Sequence, residues 1–326
     1  MAREQYTNKQ LSASSIGVIA QANAIIAEYT AAGYRMTLRQ LYYQFVSKNL
    51  IKNEQKSYKR LANIISEGRL AGLVDWNAIE DRGRVPGIPH TWDSIDDVLK
   101  AIKGTARSYT IDHWKNQPTY VELWVEKQAL ASVLEPLARQ HQVTLMINKG
   151  YSSQSAMYES AMRFRAAMGT EGEVELFDPD FHDPDAKEDF DGTLHMESDR
   201  KGLLLYLGDH DPSGEDMVRD IRDRMRMFGV HSEMFEVQKV ALTTEQVRKY
   251  KPPVNPAKFS DPRASNYVAI HGPRSWEVDA LSPPILSRII TEAIVEAIDA
   301  DALDETLDEE KSDRVRLEKK LEAIKL

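Results

Sequence analysis

Cysteine is absent from all 326 residues. That absence excludes disulfides and thiolate zinc centres, and it fits a reducing cytoplasm. Long apolar runs are missing too. No stretch approaches the ~20 residues of a membrane span, and the opening MAREQYTNKQLSASS lacks the apolar core of a signal peptide. The expectation is a cytoplasmic protein without a membrane partner. What is present is ordinary for a globular chain: 42% hydrophobic and 29% charged residues, over a length that accommodates two domains.

A surplus of positive charge is also lacking. The net charge of −9 argues against a nucleic-acid partner, but it is unevenly spread. Residues 1–150 carry net +5 and residues 151–326 net −14. Within the first half, residues 35–69 hold eight basic and two acidic side chains. A local basic surface matters more for binding phosphate than the total does. Arg35, Lys56, Lys59, Arg60 and Lys149 are the candidate nucleic-acid contacts. The same residues also read as a solvated helical face.

The pattern divides the chain. Residues 9–32 predict a helix ending at Gly33. TLRQLYYQFVSKNL predicts a second, with Thr37 as N-cap, and SYKRLANIISEGRLAGL a third. These suggest a small winged-helix-like domain over residues 1–90. The Gly/Pro-rich GRVPGIPHTWDS marks a boundary, with residues 91–118 as linker. From residue 119 strands and helices alternate: TYVELWV, QALASVLEPLARQH, VTLMIN, SQSAMYESAMRFRAAM, LLLYL, GEDMVRDIRDRMRMF and MFEVQKVAL. This rhythm predicts an α/β domain over 119–326, a mainly parallel sheet flanked by helices. It carries an acidic insertion at 171–199, with twelve acids against one lysine, and ends in C-terminal helices. Within the insertion, DFDGTL (189–194) matches a phosphatase signature. That chemistry needs its first Asp at the end of a buried strand, and the preceding PDFHDPDAKE cannot form one.

The strand LLLYL delivers Asp209 and Asp211 to the carboxyl edge of the sheet, where chemistry collects in such folds. Residues i and i+2 of an extended segment point to one side, so both carboxylates can face one site. Glu126 follows the strand YVELWV in the same way. Three such acids repel one another without a cation, and oxygen-only ligands favour Mg²⁺ or Mn²⁺. Each acid taken alone also reads as a cap of the following helix. The eight histidines show no ligand spacing.

Glu126 and GDHDPSG resemble the Toprim metal site in its Asp-x-Asp-Pro-x-Gly version. That version belongs to the topoisomerase VI A subunit and its relative, the meiotic double-strand-break transesterase. VEK, INKGYSSQSA, ALTTEQVRKY, NPAK and WEVDALSPPIL are similar to the same family, so the resemblance spans roughly residues 30–300. The stretch after the tyrosines follows the family pattern only loosely, and the acidic insertion is unusual for it. The resemblance implies a tyrosine nucleophile in an Arg-x-x-x-Tyr pattern, here within LRQLYYQF. Helical periodicity puts Leu38, Leu41, Tyr42, Phe45 and Val46 on one apolar stripe, while Tyr43 lies about 130° round from its centre, beside Arg39. Tyr42 is thus expected to be packed and Tyr43 exposed, and the resemblance selects Tyr43 as well.

The reading that follows is a homodimeric, Mg²⁺-dependent transesterase acting on double-stranded DNA at the nucleoid. Tyr43 forms a 5′-phosphotyrosyl link, Arg39 holds the phosphate, and Glu126, Asp209 and Asp211 hold the metal. The resemblance implies active sites shared between subunits, and a separate GHKL-type ATPase subunit for any ATP-coupled strand passage. Two alternatives remain open. One is a Toprim nuclease using metal-activated water, and the other a catalytically weak DNA-binding subunit of an ATPase-containing complex.

Overall fold

The computed structural model describes residues 3–80, 91–148, 152–169, 199–256, 261 and 263–323. The acidic insertion, apart from Asp199, and the DFDGTL match lie outside the described residues, as does Lys149.

The chain begins with three helices. Ser12 caps α1 (Ala13–Ala31) by accepting from the Ser15 N–H, and Gly33, at φ 83°, turns the chain out of it. Thr37 caps α2 (Leu38–Ser47) in a reciprocal capping box with Gln40. A two-residue parallel pairing of β1 (Met36–Thr37) with β2 (Ile79–Glu80) ties the start of α2 to the stretch after α3 (Gln55–Leu70). Ile19, Ile25, Leu41, Tyr42, Phe45, Leu61 and Ile65 form the core of this unit. The residues expected to link the domains contain a helix, α4 (Ile95–Arg107).

Four strands form one parallel sheet in the order β4-β3-β5-β6. They are β3 (Thr119–Val125), β4 (Thr144–Ile147), β5 (Lys201–Leu207) and β6 (Phe235–Ala241). Alternation decides which side chain enters which layer. Val121, Leu123, Val125, Leu205 and Leu207 pack under α5 (Ala131–Gln140) and α10 (Pro283–Glu296). Trp124, Leu204 and Tyr206 pack on the other face, under α6 (Gln154–Met168) and α7 (Pro212–Met227). This is the α/β architecture of a parallel sheet flanked by helices.

The remaining elements close the sheet's carboxyl end. After α8 (Thr244–Tyr250) come β7 (Asn255–Pro256), α9 (Ala264–His271) and the antiparallel partner of β7, β8 (Arg274–Ser275). A single 3-10 turn, Val278–Ala280, precedes α10. The last helix, α11 (Ala300–Ala323), packs on α4. Among the described residues, no helix is long and apolar enough to cross a membrane.

Candidate active site at the carboxyl edge of the sheet

β3 and β5 pair in register to their last residues, Val125 and Leu207. The chain therefore leaves the sheet at two neighbouring points. The strand order also reverses there, with β4 on one side of β3 and β5 and β6 on the other. Helices depart to opposite faces at such a point and leave a crevice beyond the strand ends.

Glu126 and Asp209 line that crevice together. The Asp209 backbone N–H donates to Glu126 Oε2 at 3.3 Å. Asp209 is buried, its Oδ1 accepting from the Val278 N–H at 2.9 Å and lying 2.8 Å from Lys127 Nζ. Burial pushes its carboxyl up to about 7. Lys127 opposes the rise, while Glu126 and Asp279 add to it.

Asp211 has a different task. Its Oδ1 accepts from the Gly214 N–H at 2.7 Å and the Ser213 hydroxyl at 2.9 Å, capping α7. Pro212 fits the first helical turn. Gly214 is required because a Cβ there would lie 2.1 Å from the Asp209 carbonyl oxygen. The Asp-Pro-Ser-Gly run is thus a local code for starting a helix tightly against the residue that enters the crevice. Among the described residues, no group of three or more acids and histidines is arranged as a metal centre.

His210, between the aspartates, is buried. Its ring stacks on Trp276, bonds Glu215 through Nδ1 and approaches Thr244 Oγ1 at 3.3 Å. Its backbone pairs with that of Trp276 in both directions. It anchors the Asp209–Asp211 segment to the β8 region.

Two further acids belong to the site, Glu277 and Asp279. Lys127 Nζ lies 2.6 Å from Glu277 Oε2 and 3.0 Å from Asp279 Oδ1. Arg39 pairs with the same two residues, through Nη2 to Glu277 and through Nε to Asp279 Oδ2 at 2.9 Å. Burial alone would raise the Glu277 carboxyl, but Lys127 and Arg39 bring it down to about 2. Asp209, Glu277 and Asp279 share Lys127 and Arg39, and Glu126 adjoins Asp209 through the Asp209 N–H, which puts four carboxylates beside two cations. One divalent cation closes that deficit. The donors are all oxygens, which fits Mg²⁺ or Mn²⁺, with Glu126 and Asp209 the pair best placed to hold it. The sequence signal for the missed pair was available, since Glu277 and Asp279 have the i, i+2 spacing of the two aspartates.

Arg39 also carries the network to the tyrosines. Its Nη2 lies 3.3 Å from the Tyr43 hydroxyl. Tyr43 is buried, at 5% exposure, which overturns the expectation of an exposed ring. The reason is long-range. The 3-10 turn Val278–Ala280 packs on α2, and Ala280 joins the core of the N-terminal unit. Helical periodicity finds the stripe facing α1 and α3 but is blind to a cover arriving from 235 residues downstream. Burial, with Asp279 and Glu277 nearby, pushes the Tyr43 phenol above its ordinary value, against Arg39 and Lys127. Tyr42 is packed as expected, its hydroxyl donating to Asn53 Oδ1 at 3.0 Å and to the Glu54 carbonyl at 3.2 Å.

Arg35, Lys56, Lys59 and Arg60 are exposed on the N-terminal unit. The last three share one face of α3, where Arg60 also donates to Ser14 Oγ at 3.2 Å. No protein-family model matches the chain, and no curated protein matches it either.

Proposed function

We propose that the chain is a divalent-cation-dependent DNA-cleaving transesterase of the topoisomerase VI A type, with Tyr43 as nucleophile. In this reading the three helices form a winged-helix-like DNA-binding domain, and residues 119–326 a Toprim domain. The observation that carries it is the unbroken ion network from Tyr43 through Arg39, Glu277, Asp279 and Lys127 to Asp209. A tyrosine, two cations and a carboxylate pair with surplus negative charge are what phosphodiester exchange requires in one place.

In the reaction, Tyr43 Oη attacks a backbone phosphorus. The P–Oη bond forms as the bond to the 3′ oxygen breaks; the phenolic proton passes to solvent water, which returns one to the 3′ oxygen. One ester replaces another, so the strand break consumes no energy source. Arg39, next to the hydroxyl, neutralises the phosphate. Glu126 and Asp209 would hold Mg²⁺, with Asp211 as a further ligand on leaving its cap. The metal, when bound, supplies positive charge to the phosphate and the leaving oxygen. Arg35, Lys56, Lys59 and Arg60 track the duplex backbone, giving binding that weakens with salt. Cutting a duplex takes two tyrosines, which a two-fold dimer supplies. A separate ATPase subunit is the partner for strand passage.

One observation favours a second reading. Tyr43 is covered in this conformation, so hydrolysis by water at the Glu126–Asp209 pair needs less rearrangement.

The test is a covalent protein–DNA adduct formed with Mg²⁺ and trapped by denaturation. Tyr43→Phe is expected to abolish it. Tyr42→Phe should keep it while losing ~1 kcal/mol of stability with its two hydrogen bonds. Nicking that persists in Tyr43→Phe without an adduct establishes hydrolysis instead. Mixing Tyr43→Phe with Asp209→Ala protein restores an adduct only if sites are shared between subunits.

A further inference from the structure

Lys127 immediately follows Glu126, and its side chain is largely buried. Its Nζ has Asp209 Oδ1 at 2.8 Å, Glu277 Oε2 at 2.6 Å and Asp279 Oδ1 at 3.0 Å. Carboxylates from two distant segments thus converge on one ammonium. Burial works against its charge, but Asp279, Asp209 and Glu277 more than offset that and hold the proton on firmly.

We propose that Lys127 is a tethered counter-ion of Asp209, which a divalent cation displaces on binding to Glu126 and Asp209. This rests on the function proposed above. Three features support it. Both cations need the Asp209 carboxylate, and a dication bound to it would repel the ammonium 2.8 Å from its Oδ1. The lysine has somewhere to stay, because Glu277 and Asp279 still hold it after Asp209 is given up. Those two acids also hold Arg39 against Tyr43, so displacement redistributes charge beside the nucleophile. Cation uptake and preparation of Tyr43 become one event. A compact point charge on a flexible stem suits this exchange better than a planar guanidinium would.

The experiment is Mn²⁺ binding to the metal-free, full-length protein without DNA, read as free Mn²⁺ by electron paramagnetic resonance. Lys127→Met is expected to bind Mn²⁺ at least about tenfold more tightly than wild type, because a competing charge next to Asp209 is gone. The gain should vanish in Lys127→Met/Asp209→Asn. Should Lys127→Met fail to fold, Lys127→Met/Asp279→Asn removes one charge of each sign, and the same tightening is expected. Unchanged or weaker binding in the folded Lys127 variants, with Asp209-dependent binding in wild type, overturns the counter-ion role alone. Absence of Asp209-dependent binding in every protein overturns the proposed metal pair and this inference with it.

Discussion

Two buried carboxylates on neighbouring strands stand in opposite electrical conditions. Glu122, in the middle of β3, is fully buried. Arg163 grips it with two bonds of 2.7 and 3.0 Å, Trp124 Nε1 donates at 2.8 Å and the Tyr120 hydroxyl at 2.9 Å. One negative charge meets one positive charge, and both oxygens are filled. Asp209, just past the end of β5, is one of three carboxylates that share two cations, with Glu126 beside it as a fourth acid. Both are acids in or beside a strand, and neither faces bulk water. The difference teaches that burial alone does not mark a site. A balanced buried acid is part of the scaffold, whereas an unbalanced one at a strand end waits for something positive.

The sharpest way to break this contrast is to unbalance Glu122. Arg163→Met leaves an unpaired carboxylate inside the protein, with an expected loss of ~3 kcal/mol or more in urea denaturation. A loss below ~1 kcal/mol would mean that Glu122 is no more tightly balanced than Asp209.

Glu215 offers an intermediate case beside the crevice. Burial alone would raise its carboxyl, but the bond to His210 and the Lys239 ammonium 2.7 Å away lower it from 4.5 to about 2. A carboxyl lowered by folding contributes stability that is present above its unfolded value and lost as pH falls toward the folded one. Wild type should therefore exceed Glu215→Gln in melting temperature near pH 6, and the gap should narrow as pH falls from about 4.5 toward 2. A gap constant across that window removes Glu215 from the balanced class.

The smallest expected effect is at Asp209 itself. Asp209→Asn keeps an acceptor for the Val278 N–H and removes one surplus charge. Metal-free stability should stay the same or rise by up to ~1 kcal/mol, while the Tyr43 adduct disappears. A loss as large as that of Arg163→Met would show that Asp209 is scaffold.

Much of this contrast is legible in the sequence. The strand TYVELWV coincides with β3, and LLLYL lies within β5. Their ends carry Glu126 and Asp209 because apolar runs stop where the sheet stops. Thr37 could be read as a cap because the hydrogen bond it makes is local. The burial of Tyr43 is not legible there, because the period of a helix records the neighbours of an amphipathic face and not every element that covers it. Asp211 illustrates the opposite problem. Spacing placed it beside Asp209, but the nearby Gly214 N–H is a partner within the same turn, and that short-range bond claims its Oδ1.

What the sequence determined by itself is whatever depends on a few consecutive residues: strand and helix identity, caps, the glycine that lets α7 start against Asp209, and acids at strand ends. What only the tertiary structure decided is the balance of charge. Glu277 and Asp279 reach the site from more than sixty residues beyond Asp209, and Arg39 from far before it. Coulomb energy depends on distance in space and on burial, and neither is encoded in spacing along the chain. The packing of the Val278–Ala280 turn against both α2 and the sheet edge is what gathers these groups around Lys127.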